Sequence, residues 1–187
     1  MSTFGTVGST IRLRSGKYFD LLNPRAEDFT IADIAGALSK ICRFGGQIER
    51  FYSVAEHSFL CAAEVESRQY PRPACVHALL HDAAEAFVGD VVKPLKLLLP
   101  AYDEIESRIL SVIFAKYDVI GKYALVVKEI DEAMLIAERR VLFSSDDCVW
   151  AGENEVRTIN PNIRAMNPED AEAFFLQYAN SYDLRRD

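Results

Sequence analysis

Three titratable residues fall within five positions, His81-Asp82-Ala83-Ala84-Glu85, inside the apolar stretch ACVHALLHDAAEAFVGD of residues 74–90. Apolar side chains occur nearly all round a helical wheel of this segment, which marks it as central and buried. An ionised carboxylate in such a place costs many kcal/mol unless something compensates it. A divalent cation held by neutral imidazole nitrogens and carboxylate oxygens is the obvious remedy. On a helix, His81 and Glu85 lie one turn apart on one face, with Asp82 about 100° round from His81. His81 and Asp82 can therefore reach one ion, while Glu85 reaches just past it. Further ligands must come from other segments. The best candidates are His57 and Asp131, the latter within KEIDEAMLIAERR (128–140) and followed by an almost wholly apolar run. Asp103 and Asp118 are rival acids, expected at a helix start and in a turn.

The elements that must carry these residues read as mostly helical. TIRLRSGKYFDLL (10–22) alternates in polarity around Ser15-Gly16, the pattern of a short β-hairpin. Thr30 followed by Asp33 fits a helix start, with Ile31, Ile34, Ala35 and Leu38 as its apolar stripe. Arg43-Phe44-Gly45-Gly46 breaks that helix. Ser53 with Glu56 forms a capping box that sets His57 one turn into the next helix. Pro71 and Pro73 open a third helix expected to run through Phe87 and stop at Gly89. Helices are also expected over 102–117, about 123–142, and from Asn167-Pro168 to about 182, with Ala171, Phe174, Phe175 and Tyr178 as a packing face. The expected architecture is a single all-α helical bundle with a short N-terminal β-hairpin.

Composition agrees with an ordinary globular chain. Its 187 residues are 50% hydrophobic and 26% charged, enough for one domain with a sizeable core. The net charge of −7 argues against a nucleic-acid polymer as partner. VVKPLKLLLP (91–100) is interrupted by two lysines and a proline, so no run is long enough to cross a bilayer. The N-terminal MSTFGTVGSTIRLRSG lacks the pattern of a secretory signal, and a cytoplasmic location is expected. Cys42, Cys61, Cys75 and Cys148 are widely spread, all but the last in apolar helical patterns. They read as small buried hydrophobes rather than a disulfide frame or zinc cluster.

The order His57, His81-Asp82, Asp131 resembles the H…HD…D signature of HD-domain metal-dependent phosphohydrolases. The local text is similar to the bacterial 5′-deoxynucleotidase branch and its phage relatives. Those chains carry an arginine-aromatic loop, a serine-capped helix bearing EHS, then HDA-E, GD and Pro-x-Lys. Here stand Arg43-Phe44, Ser53 with Glu56-His57-Ser58, His81-Asp82-Ala83 with Glu85, Gly89-Asp90, and Pro94-Leu95-Lys96. The resemblance spans roughly residues 30–142 and implies the HD-domain helical bundle.

Carried over by position, it implies that His57, His81, Asp82 and Asp131 hold one divalent ion (Mn, Co, Fe, Ni or Zn), which acidifies its bound water and withdraws charge from phosphorus. Glu85 would orient or deprotonate the attacking water, and Asp90 would act near the leaving oxygen or a sugar hydroxyl. Arg43 and Lys96 would meet the phosphate, and Phe44 would stack on base or sugar. Phe44 stands where that branch has tryptophan, so it offers a stacking face without the indole N–H.

The expected activity is hydrolysis of (deoxy)nucleoside 5′-monophosphates, by a homo-oligomer as in relatives. The alternatives are a (deoxy)nucleoside triphosphate triphosphohydrolase on the same fold, and a non-catalytic nucleotide-sensing module whose metal only staples helices. Plainer readings stand beside these roles: a buried salt bridge for Glu85, a cap for Asp90, a helix-end cation for Arg43, and surface charges for Lys96 and its rival Lys93. His77, one turn before His81, reads as structural, and Glu138-Arg139-Arg140 as a solvated or interface face.

Overall fold

The computed structural model describes residues 8–144, 148–150 and 153–184. Residues 1–7, part of the N-terminal stretch read for a leader, lie outside them. Strands β1 (Thr10–Arg12) and β2 (Tyr18–Asp20) pair antiparallel with Ile11 opposite Phe19. Gly16 turns the hairpin at φ 88°, where a side chain would be strained. This alternation points Phe19 inward, fully buried, where it stacks on Phe87 at 4.1 Å with Phe29 edge-on to both. Each of these buried rings contributes about 1.5–3 kcal/mol, and Leu13 in the hairpin turn is buried in the core as well.

Helices follow as α1 (Ile31–Leu38), α2 (Val54–Ser67), α3 (Arg72–Leu80), α4 (Glu85–Val88), α5 (Lys93–Lys96), α6 (Pro100–Lys116), α7 (Ala124–Leu142) and α8 (Pro168–Ser181). The all-α bundle with its small hairpin is thus the observed architecture. Helix α2 is the central one: it packs against α3, α7 and α8, and its buried positions run on both sides of His57. Thr30 and Asp33 make the expected reciprocal cap on α1, and Asn167 caps α8 through the Asp170 amide. No described helix is long and apolar enough to cross a membrane.

Three local expectations are corrected. The third helix does not run through Phe87 but ends at Leu80. The Ala78 carbonyl, the α-helical acceptor for the Asp82 amide, meets His81 Nδ1 at 2.7 Å. Beyond it the amides of Ala83, Glu85, Ala86 and Phe87 donate three residues back, to Leu80, Asp82, Ala83 and Ala84. The chain therefore passes His81-Asp82 as a tightened turn before α4, of the kind that recurs at functional positions.

The cap of α2 is only half a box. Ser53 Oγ accepts the Glu56 amide, but the Glu56 side chain turns away to accept the amides of Arg164, Ala165 and Met166 at 2.7, 3.1 and 2.7 Å. Cys42 lies outside any helix, in an isolated backbone bridge to Ser53.

Candidate metal centre

Helix α2, the turn after α3, and α7 bring His57, His81, Asp82 and Asp131 to one point. His57 Nε2 lies 3.2 Å from His81 Nε2, 3.5 Å from Asp82 Oδ2 and 3.2 Å from Asp131 Oδ1. His81 Nε2 lies 3.3 Å from Asp82 Oδ2 and 3.8 Å from Asp131 Oδ1. Donors held at about 2.1 Å from a common ion stand roughly 3.0 Å apart at octahedral and 3.4 Å apart at tetrahedral angles. The observed separations fit that spacing.

The outer nitrogens of both rings are engaged. His57 Nδ1 meets Glu138 Oε1 at 2.6 Å, and His81 Nδ1 meets the Ala78 carbonyl. With a hydrogen kept on each Nδ1, a cation that displaces the Nε2 protons would meet two Nε2 lone pairs aimed at the shared point, the tautomer that binds cations. Asp103, in the first turn of α6, and Asp118, in the turn after it, are not among these residues.

The field at this point favours positive charge. Burial opposes a charge on either imidazole, and Arg43 opposes it at His57. Cys61, Glu138 and Asp131 nevertheless hold His57 well above its ordinary pKa, while Asp82 and Asp131 hold His81 above its own. Burial alone would raise the Asp131 carboxyl, yet its bonds from the two imidazoles hold it well below the usual range. A cation entering here meets an Asp131 carboxyl held in its ionised form.

Glu138 is the functional residue that sequence reasoning missed. It belongs to no solvated face: it is fully buried, and its Oε1 accepts from His57 Nδ1 and from Tyr52 Oη at 2.8 Å. Its Oε2 accepts from Arg43 Nε at 3.2 Å and lies 3.2 Å from the charged Nη2. Burial would raise the Glu138 carboxyl, and Arg43 with His57 reverses the direction. The signal was present, since Glu138 follows Asp131 by seven residues, two turns along one face.

Arg43 therefore has one side of its fork on Glu138. The other, Nη1, lies 3.5 Å from Asp82 Oδ2. Arg139 stacks over Trp150 and pairs with Glu153 at 2.6 Å, away from the centre.

Beyond the ligand group, Glu85 is buried with Oε1 3.4 Å from Lys96 Nζ and Oε2 without a hydrogen-bond partner. Burial, then Asp82 and Asp90, push its carboxyl well above the ordinary range. Half-buried Asp90 is also raised, chiefly by burial. It follows Gly89, whose φ of 82° and ψ of 161° only glycine adopts readily. Lys96 Nζ also donates to Glu106 at 2.8 Å, whereas Lys93 is exposed.

Phe44 sits at φ 59°, half-buried, edge-on to Phe143 at 5.2 Å and to Trp150 at 6.2 Å. Its ring is thus packed within an aromatic trio. His77 is a satisfied core histidine, its Nδ1 3.2 Å from the Ile120 carbonyl and its ring edge-on to Phe114.

Cys61 and Cys75 are buried as expected, Cys42 is half-buried, and Cys148 is exposed. The Cys61 Sγ lies 3.7 Å from His57 Nε2. Burial raises its thiol to about 11, so it is neutral at physiological pH. Buried His57 and Cys61 and partly exposed His81 together could hold a metal ion. A separate groove of about 340 Å³ between α2 and α8, lined by Phe59, Phe174 and Tyr178, includes none of these residues.

No known family profile matches the chain. It is 39% identical over 180 residues to the uncharacterized protein YfdR of Escherichia coli strain K12, covering 95% of this chain and 98% of that one. It is 32% identical over 178 residues to an uncharacterized protein of Rhodobacter capsulatus, covering 88% and 90%.

Proposed function

This chain belongs to the family of Escherichia coli YfdR, and we propose that it is an HD-type, metal-dependent phosphohydrolase acting on (deoxy)nucleoside 5′-monophosphates in the cytoplasm. One observation carries the reading. Two imidazole nitrogens 3.2 Å apart each lie 3.2–3.8 Å from an oxygen of Asp82 and of Asp131, brought together from three segments, beside a buried carboxylate with an unpartnered oxygen. A purely structural staple needs the first feature but has no use for the second.

His57, His81, Asp82 and Asp131 would hold one divalent ion, which supplies Lewis acidity to a phosphate oxygen and to water. Glu85 receives the proton of the attacking water at Oε2 as the new oxygen–phosphorus bond forms. Its raised affinity for protons suits that task near neutral pH. As the bond from phosphorus to the sugar oxygen breaks, Asp90 supplies the proton that the leaving oxygen takes. Lys96 holds Glu85 in place from the far side at 3.4 Å. Arg43 Nη1 faces the same space, its other edge fixed by Glu138.

Charge favours a single phosphate over three. Arg43 and Lys96 each already face carboxylates, and Asp82, Glu85, Asp90 and Asp131 line the same region. A triphosphate brings more negative charge than these two cations can offset. The test is a panel of ribo- and deoxynucleoside mono- and triphosphates with Mn²⁺, Co²⁺, Fe²⁺, Ni²⁺ and Zn²⁺ in turn. Orthophosphate released from monophosphates supports the reading. Tripolyphosphate released from triphosphates supports the alternative cut, and no release from any pair overturns both.

A further inference from the structure

Cys61 lies one turn along α2 from His57, so the two side chains share a face. Its Sγ is 3.7 Å from His57 Nε2 and 4.0 Å from Nδ1, and His57, Cys61 and His81 offer donor atoms within 4.8 Å of one another. A sulfur at about 2.3 Å and an imidazole nitrogen at about 2.0–2.1 Å from a tetrahedral ion stand roughly 3.6 Å apart. The sulfur to Nε2 distance matches.

The two imidazoles are thus shared by two donor sets of opposite character. Asp82 and Asp131, with side chains 23% and 38% exposed, offer hard oxygens on the open side. Cys61, fully buried, offers a soft sulfur on the inner side.

We propose that His57, His81 and Cys61 form a second, thiophilic metal set, which captures soft cations such as Cd²⁺ on the inner side of the centre. This rests on the metal centre proposed above, though not on hydrolysis. As the metal–sulfur bond forms, the Cys61 S–H bond breaks and its proton passes to solvent. Oxygen-preferring ions such as Mn²⁺ leave the thiol intact and sit with Asp82 and Asp131. A soft ion drawn inward leaves those carboxylates and the substrate side, so the chain would carry its own site of inhibition by soft metals.

The test titrates the full chain with Cd²⁺, reading the thiolate-to-cadmium ultraviolet absorption, and separately with Mn²⁺ by paramagnetic resonance. A Cys148→Ser background removes the exposed thiol. The expected result is one cadmium equivalent with thiolate absorption. Cys61→Ser and Cys61→Ala should both lose that absorption and about tenfold or more in cadmium affinity, with manganese affinity unchanged. Cadmium bound without thiolate absorption, which needs no variant to observe, overturns the thiophilic set alone. Cadmium affinity unchanged in both variants does the same. Failure to bind either ion overturns this set and the metal centre together.

Discussion

Glu56 and His57 are neighbours on α2, both fully buried, and they meet opposite fates. Glu56 accepts three backbone amides from 164–166, so its charge is answered by donors that have no other use. His57 points into a group where lone pairs and carboxylates crowd within 3.5 Å. Nearby, Glu85 keeps one oxygen with no partner. A satisfied buried charge ties a chain segment down. A buried charge left wanting is a place for a ligand, because the folded protein bears its cost until something binds.

Substitutions separate the two kinds. Glu85→Gln should give the largest effect, a loss of about 10²–10⁴-fold in phosphate release. Its Tm should stay the same or rise, since a buried carboxyl with one unpartnered oxygen gives way to a neutral amide of the same shape. If Tm fell and turnover held, Glu85 would belong with Glu56. Conversely, Glu56→Ala strands three amides and should cost about 3 kcal/mol. In thermal melts that lowers Tm by about 6–12 °C for a chain of this length, with metal content per folded chain unaltered.

Glu138→Gln falls between the classes. It weakens the bond that orients His57 and should reduce metal affinity about 10–100-fold, read by competition with a chromogenic chelator. Lys93→Ala marks the bottom of the scale. The residue is exposed, and turnover should change by less than about twofold, within the range of neutral surface substitutions.

Much of this was legible in sequence because its causes are local. The Thr30/Asp33 and Asn167 caps, the apolar periodicity of α1 and α8, and the Ser15-Gly16 turn need only neighbours in the chain. His81 and Asp82 stand out because charge inside an apolar helix is conspicuous, and His57 and Asp131 join them through the H…HD…D resemblance. What escaped depends on distant partners or on residues that look ordinary. The amides that take Glu56 away from its capping box lie more than a hundred residues off. The break of α3 at Leu80 coincides with the His81 ring taking the Ala78 carbonyl, a contact that no helical wheel reports. Glu138 was hidden by Arg139 and Arg140, although its spacing from Asp131 assigned it inward. Cys61 reads as packing because a thiol disturbs no hydropathy pattern, and only its one-turn offset from His57 places the two side chains on one face.

The claim beneath all of this is that one cation joins α2, the turn after α3, and α7. Metal content of the purified chain, reloaded with Mn²⁺ or Co²⁺ and measured by elemental analysis, tests it most directly. One equivalent in the native protein, falling to near zero in His57→Ala and in Asp131→Ala with the helical circular dichroism retained, is the predicted result. No bound ion in the native protein, or an undiminished equivalent in both folded variants, would contradict it.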